Sequence, residues 1–109
     1  MATNKVQDGK VLTLEIASTE SGDPVSVGSI TGVALTDTDD NGNVEVDTEG
    51  VYALDVVGND GSEGAAVSAG DAVYIDSGTI NVDSSKTLFG YALEAVSSGE
   101  TTEIDVLLA

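Results

Sequence analysis

Gly22-Asp23-Pro24-Val25-Ser26-Val27 returns later in the chain as Gly70-Asp71-Ala72-Val73-Tyr74-Ile75. Each copy is followed by a second shared phrase, Gly32-Val33-Ala34-Leu35 after the first and Gly90-Tyr91-Ala92-Leu93 after the second. Each half then closes on an alternating segment, Val44-Glu45-Val46 and Ile104-Asp105-Val106. The phrases keep their order while the second half carries an insertion. An unequal duplication of this kind is not a fixed-period array, and it predicts a compact two-lobed β domain rather than a solenoid. In each Gly-Asp pair the glycine supplies a turn and the aspartate caps it before the strand begins. Gly22, Asp23, Gly70 and Asp71 are therefore read as structural turn residues.

The segments around the repeat carry the same period. Val11 to Ile16 alternates, with Leu12, Leu14 and Ile16 on one face and Val11, Thr13 and Glu15 on the other, which predicts a half-buried strand. Pro24 falls at a strand start, where its missing N–H does little harm. Asn41-Gly42 predicts a hairpin corner, since both residues tolerate positive φ. Val51 to Val56 predicts another strand, with Tyr52, Leu54 and Val56 on one side. Val73-Tyr74-Ile75 and Thr79 to Val82 predict a hairpin about Asp76-Ser77-Gly78, and Thr102 to Leu108 predicts the last strand. Gly58 to Gly70 has four glycines and few large side chains. It is expected to be a surface loop or a mobile connection between the halves. No apolar residue recurs with helical spacing. The fold expected is all-β, a compact small barrel or sandwich of short antiparallel strands with pseudo-duplicated halves. Residues 1–10 are expected to form an extended arm, and residues 11–109 a single domain.

The chain has 109 residues, twenty carboxylates, three lysines and no arginine, a net charge of −17. High net charge often accompanies disorder, but 40% of residues are hydrophobic and they alternate, so a folded domain is expected. Such a surface repels phosphate backbones and anionic lipid, which excludes nucleic acid and membranes as partners. Met1 to Lys10 holds no apolar run, so neither a signal peptide nor a membrane anchor is expected. Self-repulsion is large at low salt, whereas at ~1 M salt the Debye length falls to ~3 Å and the penalty nearly vanishes. Carboxylate excess with lysine depletion fits a protein of halophilic origin; an acidic surface tuned for solubility is the alternative.

Catalysis is poorly supplied. Without histidine or cysteine there is no ready base near neutrality and no thiolate nucleophile. Four aromatic residues (Tyr52, Tyr74, Phe89 and Tyr91) are few for a carbohydrate cleft. No enzyme is expected and no cofactor is required. Asp37-x-Asp39-x-Asn41-Gly42 matches the first half of a calcium loop. The twelfth position, however, is Thr48, with Glu49 one residue late, and the flanks read as strands. An acidic hairpin turn is the better reading, with weak binding of calcium or a monovalent cation at Asp37, Asp39, Asp40 and Asn41 left open.

Several phrases occur together in a familiar order: Val6-Gln7-x-Gly9, Gly22-Asp23-Pro24-Val25 with Val27-Gly28, Gly32-Val33-Ala34, Thr48-Glu49-Gly50-Val51, Ala69-Gly70-Asp71-x-Val73-Tyr74 and Gly90-Tyr91-Ala92. In this the chain resembles the small capsid decoration (cement) proteins of tailed bacteriophages and haloarchaeal tailed viruses, over almost its whole length. It departs from the family pattern in being more acidic, which fits the virus of a halophilic host. The resemblance implies a β-rich structural protein, usually a homotrimer. Such a protein binds the outside of an icosahedral head at or near three-fold positions and locks neighbouring major capsid proteins together. It implies assembly in the host cytoplasm and a final place on the virion capsid exterior. The arm, with Asn4, Val6, Gln7 and Gly9, is then the candidate for strand addition to a capsid neighbour. The rival reading is a calcium-assisted β-type adhesion or cell-surface module, which a calcium-dependent shift in thermal stability would favour.

Overall fold

The computed structural model describes residues 11–109, all in strands, turns and loops; the arm expected over residues 1–10 lies outside them. Nine strands run in order: β1 Val11–Glu15, β2 Pro24–Val27, β3 Ile30–Ala34, β4 Asn43–Asp47, β5 Val51–Val57, β6 Ala72–Asp76, β7 Thr79–Asn81, β8 Thr87–Ala92 and β9 Thr101–Leu108. The first four form an antiparallel sheet in the order β1-β4-β3-β2. The last five close into a barrel, β5-β7-β6-β8-β9. Four of the barrel's seams are antiparallel, and the fifth is a parallel contact of β5 with β7 at Val56 and Ile80. The all-β expectation holds, with a barrel and an open sheet as its two lobes.

The duplication read in the sequence is present bond for bond. Gly22 N–H donates to Ala34 O at 2.7 Å, and Gly70 N–H to Ala92 O at 2.7 Å. Ala34 N–H returns to Asp23 O and Ala92 N–H to Asp71 O, both at 2.9 Å. Leu35 N–H then reaches Glu45 O at 2.8 Å, as Leu93 N–H reaches Asp105 O at 3.0 Å. Strand pairing extends the match: Leu12 faces Val46 as Tyr52 faces Val106, and Leu14 faces Val44 as Leu54 faces Ile104. Thus β1, β2, β3 and β4 correspond to β5, β6, β8 and β9. The inserted element is β7 with the turn after it.

Burial follows the alternation. The barrel interior holds Leu54, Val56, Val73, Ile75, Ile80, Phe89, Ile104, Val106 and Leu108, with Phe89 fully enclosed. The open sheet has a smaller cluster of Val25, Ala34, Val44 and Val46, against which Leu14 and Ile16 pack. Val33, on the other face of that sheet, is buried in the barrel's cluster and so joins the lobes. Tyr52 makes a second link: its ring packs on the barrel core while its hydroxyl donates to the Asp47 carboxylate on β4. That bond holds the Tyr52 pKa above its ordinary value, with burial and the Asp47 charge adding to it.

Two local expectations are sharpened. Of the two readings of Gly58–Gly70 the surface loop is the one seen, mostly exposed and tied to the barrel by backbone bonds. Gly58 donates to Glu100 O and accepts from Ala65 N–H and Gly99 N–H. Val67 pairs with Val96 and is buried in the barrel core. One β-branched residue and backbone bonding outweigh the glycine-rich composition. At Asn41-Gly42, only Gly42 takes positive φ. Its N–H closes a turn onto Asp39 O at 3.0 Å, so the corner is organised by Asp39 and is not a two-residue hairpin loop.

The halves differ where Thr19 and Thr38 stand in place of Val67 and Val96. The valines exchange backbone bonds, at 2.8 and 2.9 Å, across their bridge. In the first half, Thr38 N–H still reaches Thr19 O, but Thr19 N–H donates instead to Thr38 Oγ1 at 2.9 Å. That hydroxyl in turn donates to Ile16 O at 2.8 Å. Thr38→Val leaves both groups without their partner, and it is expected to destabilise by about 1–3 kcal/mol. Urea denaturation reads this directly; an unchanged midpoint would show that the backbone closes by itself, as it does at Val96.

Candidate functional site

The two Gly-Asp turns behave alike. Asp23 Oδ2 accepts Glu20 N–H at 3.0 Å, and Asp71 Oδ2 accepts Ser68 N–H at 2.8 Å. Gly22 and Gly70 sit at φ of 94° and 93°, with open space where a side chain would be. These four residues hold the entry to β2 and β6.

The acidic turn is organised in the same manner. Asp37 Oδ1 accepts Ser21 N–H at 2.8 Å. Asp39 Oδ1 accepts Asn41 N–H at 2.9 Å and Asn43 N–H at 2.8 Å. Asn41 enters through its backbone, as the residue Asp39 caps. Among the described residues no group of three or more carboxylates converges in a way that could hold a metal ion. Elsewhere, shifted acids mark turns. Asp60 is held below its ordinary value by the N–H groups of Glu63 and Ser62, and Asp83 by the hydroxyl and N–H of Ser85. Both are fully solvated caps, unlike the buried, partnered acids of catalytic sites. A concavity where β2 begins beside the barrel is lined by Asp23, Pro24, Leu54, Asp55 and Glu103. It gathers like charges and no nucleophile. Asn4, Val6, Gln7 and Gly9 lie outside the described residues.

The outside of the barrel offers a different surface. On β9 the outward positions Glu103 and Asp105 are acidic, but the next one is Leu107, 41% exposed. Leu107 pairs with Val51 on β5 and with Tyr91 on β8, which are 51% and 39% exposed. Tyr91 in turn pairs with Ala72 on β6. Cross-strand neighbours on one face lie ~5 Å apart, so these residues form a continuous apolar row across four strands. Sequence reading assigned only the inner faces of these strands. The available signal was the unbroken apolar run Val106-Leu107-Leu108, which fills both phases of the alternation.

Comparison with protein families gives one match, to the phage cement protein family, over residues 6–108. The chain belongs to that family. Comparison with curated proteins and with solved structures gives no match. A phage cement protein is a structural component associated with the capsid. Several of this chain's carboxylates cap backbone N–H groups, and three of its exposed apolar residues, Val51, Leu107 and Tyr91, line up on the outside of the barrel.

Proposed function

We propose that this cement protein binds the outer surface of the icosahedral head and stabilises the lattice of the major capsid protein, as trimers at or near three-fold positions. The observation that carries this reading is the family match over residues 6–108. The apolar row Val51, Leu107, Tyr91 gives it a contact surface. Charge argues for the outside. A body at −17 is repelled by packaged DNA, while salt screens its repulsion from other acidic proteins. Attachment then rests on apolar burial, and many weak contacts repeated over a lattice add through avidity.

Co-sedimentation with expanded, undecorated heads in molar salt is the direct test. Saturation is expected at a multiple of three copies per three-fold position, and folded protein that does not pellet with heads would refute the reading. Leu107→Asp is expected to leave the fold intact, because the side chain faces solvent. It should weaken attachment of each copy by about tenfold or more, since ~1.4 kcal/mol of lost burial is already tenfold. Undiminished binding would move the contact away from the row.

A further inference from the structure

The two lobes share four strands, but only the second is closed. Its closing strand is β7, held between β5 and β6, where Ile80 sits level with Val56 on one side and Ile75 on the other. All three are buried, at 0%, 1% and 3% exposure for Val56, Ile80 and Ile75. The corresponding pair in the first lobe is Ile16 and Val27. Here β2 turns tightly through Gly28-Ser29 straight into β3, with no strand inserted between them as β7 is between β6 and β8. Among the described residues nothing pairs with the outer edges of β1 and β2. Val27 is 39% exposed although it lies in the same phase of its strand as buried Val25, and Ile16 is half-buried. Two sheet edges and two apolar side chains are left waiting for one short strand.

We infer that the first lobe is a barrel lacking its closing strand, and that the N-terminal arm of a second copy of this chain supplies it. Val6 takes the place between Ile16 and Val27 that Ile80 takes between Val56 and Ile75. Two observations choose this occupant. Lys5-Val6-Gln7 repeats the character of Thr79-Ile80-Asn81, one β-branched apolar residue between polar ones and followed by an amide. Residues 1–10 hold Lys5 and Lys10 against Asp8, whereas residues 11–109 hold Lys86 against every other carboxylate. The arm is thus the positive stretch of an otherwise acidic protein, and it is attracted to the edges of that body.

Geometry makes the exchange intermolecular. A strand placed as β7 is placed runs parallel to β1. With Val6 level with Ile16, Lys10 would lie beyond the far end of β1, roughly 30 Å from the start of that strand at ~3.3 Å per residue. No residue remains between Lys10 and Val11 to make the return, and a parallel crossover needs about a dozen. A short hairpin instead reverses the strand and brings Val6 level with Thr13 or Leu12, short of Ile16. The chain's own arm does not reach the slot in this register, and a neighbour's does.

The inference concerns the free protein, so it is tested without heads and stands or falls separately from capsid attachment. The chain has no cysteine, which allows clean cross-linking. Val6 and Val27 would face each other as Ile80 and Ile75 do, a spacing compatible with a disulfide. Val6→Cys and Val27→Cys proteins, mixed in molar salt and mildly oxidised, are expected to give a reducible heterodimer. Val6→Cys mixed with Ser26→Cys, whose side chain faces the other way, is expected not to. Deletion of residues 2–9 is expected to convert the oligomer to monomer in sedimentation equilibrium, with circular dichroism checking that the barrel persists. An intramolecular bond alone in the doubly substituted chain would overturn the inference. So would an unchanged oligomer after deletion, or the absence of a heterodimer between the Val6→Cys and Val27→Cys proteins.

Discussion

Transfer from ~2 M to ~0.1 M salt is expected to unfold this protein or to lower its melting temperature by more than about 10 °C. Among the described residues the buried polar side chains are Thr19 and Asn81, so the carboxylates lie at or near the surface. Lys86 pairs with Asp76 at 3.8 Å, with both side chains about 40% exposed, and one such pair offsets little. Two carboxylates about 8 Å apart repel by ~0.5 kcal/mol in water before screening. Screening reduces this to ~0.2 kcal/mol at 0.1 M salt and to well under 0.1 kcal/mol at 1 M. Taking two or three such neighbours for each of the twenty acids, the folded body loses about 4–6 kcal/mol on dilution, partly offset by repulsion remaining in the unfolded chain. That is a large share of a domain's net stability of ~5–15 kcal/mol. Thermal melts across a potassium chloride series measure it. A variant with ten exposed aspartates and glutamates changed to their amides should lose most of the dependence. A flat series for the original protein would remove the halophile reading, and an equal slope for both would assign the effect to general salting-out.

What the sequence disclosed follows from how local each signal is. The Gly22-Asp23 and Gly70-Asp71 phrases, the alternating strands and their order depend on neighbouring residues, and all were legible. The match of β2, β3 and β4 with β6, β8 and β9 was therefore readable as a duplication, whereas that of β1 with β5 emerges only from strand pairing. Closure of the barrel was not, because it turns on a single parallel contact between Val56 and Ile80, remote in sequence and without a pattern of its own. Val33 shows a related limit. Its counterpart Tyr91 is exposed, while Val33 is buried against the barrel, and equivalent positions in a repeat diverge when one lobe packs on the other. Val67 was hidden for the opposite reason: its small neighbours spoke louder than it did. The apolar row was missed because assigning the inner face of each strand left Val51, Tyr91 and Leu107 unexamined on the outer one. Of the site residues named from sequence, the turn acids proved to cap backbone N–H groups, and the arm lies outside the described residues.

Gly90→Ala is expected to be among the most damaging single substitutions, and Gly32→Ala its milder counterpart. Both glycines open the shared Gly-x-Ala-Leu phrase, and neither takes positive φ, so space and not backbone conformation demands them. A Cβ at Gly90 would press on the Leu107 carbonyl oxygen and approach Val106 Cγ1 to 3.2 Å. At Gly32 it would press on the Asp47 carbonyl oxygen and lie 2.7 Å from Val46 Cγ1. In each case the nearest atom belongs to the backbone of the neighbouring strand and yields only if the strands separate. Overpacking costs ~1–3 kcal/mol and more where nothing can move, which puts Gly90→Ala at about 3 kcal/mol or above. β8 is held on both sides in a closed barrel, by β6 and β9. β3 lies within an open sheet whose ends can splay, so Gly32→Ala should cost about 1–2 kcal/mol less than Gly90→Ala. Gly78→Ala is the control for backbone strain: φ is 87° with nothing within 4 Å, and ~1 kcal/mol is expected. Urea titrations at constant molar salt rank the three. A Gly90→Ala protein with the original midpoint would refute the close approach of β8 to β9. The gap between the two lobes carries its own information, because it measures how freely the first sheet opens. Filling the slot between β1 and β2 with a neighbour's strand would clamp that sheet. The cost of Gly32→Ala should then rise toward that of Gly90→Ala in the full-length oligomer and fall again when residues 2–9 are deleted.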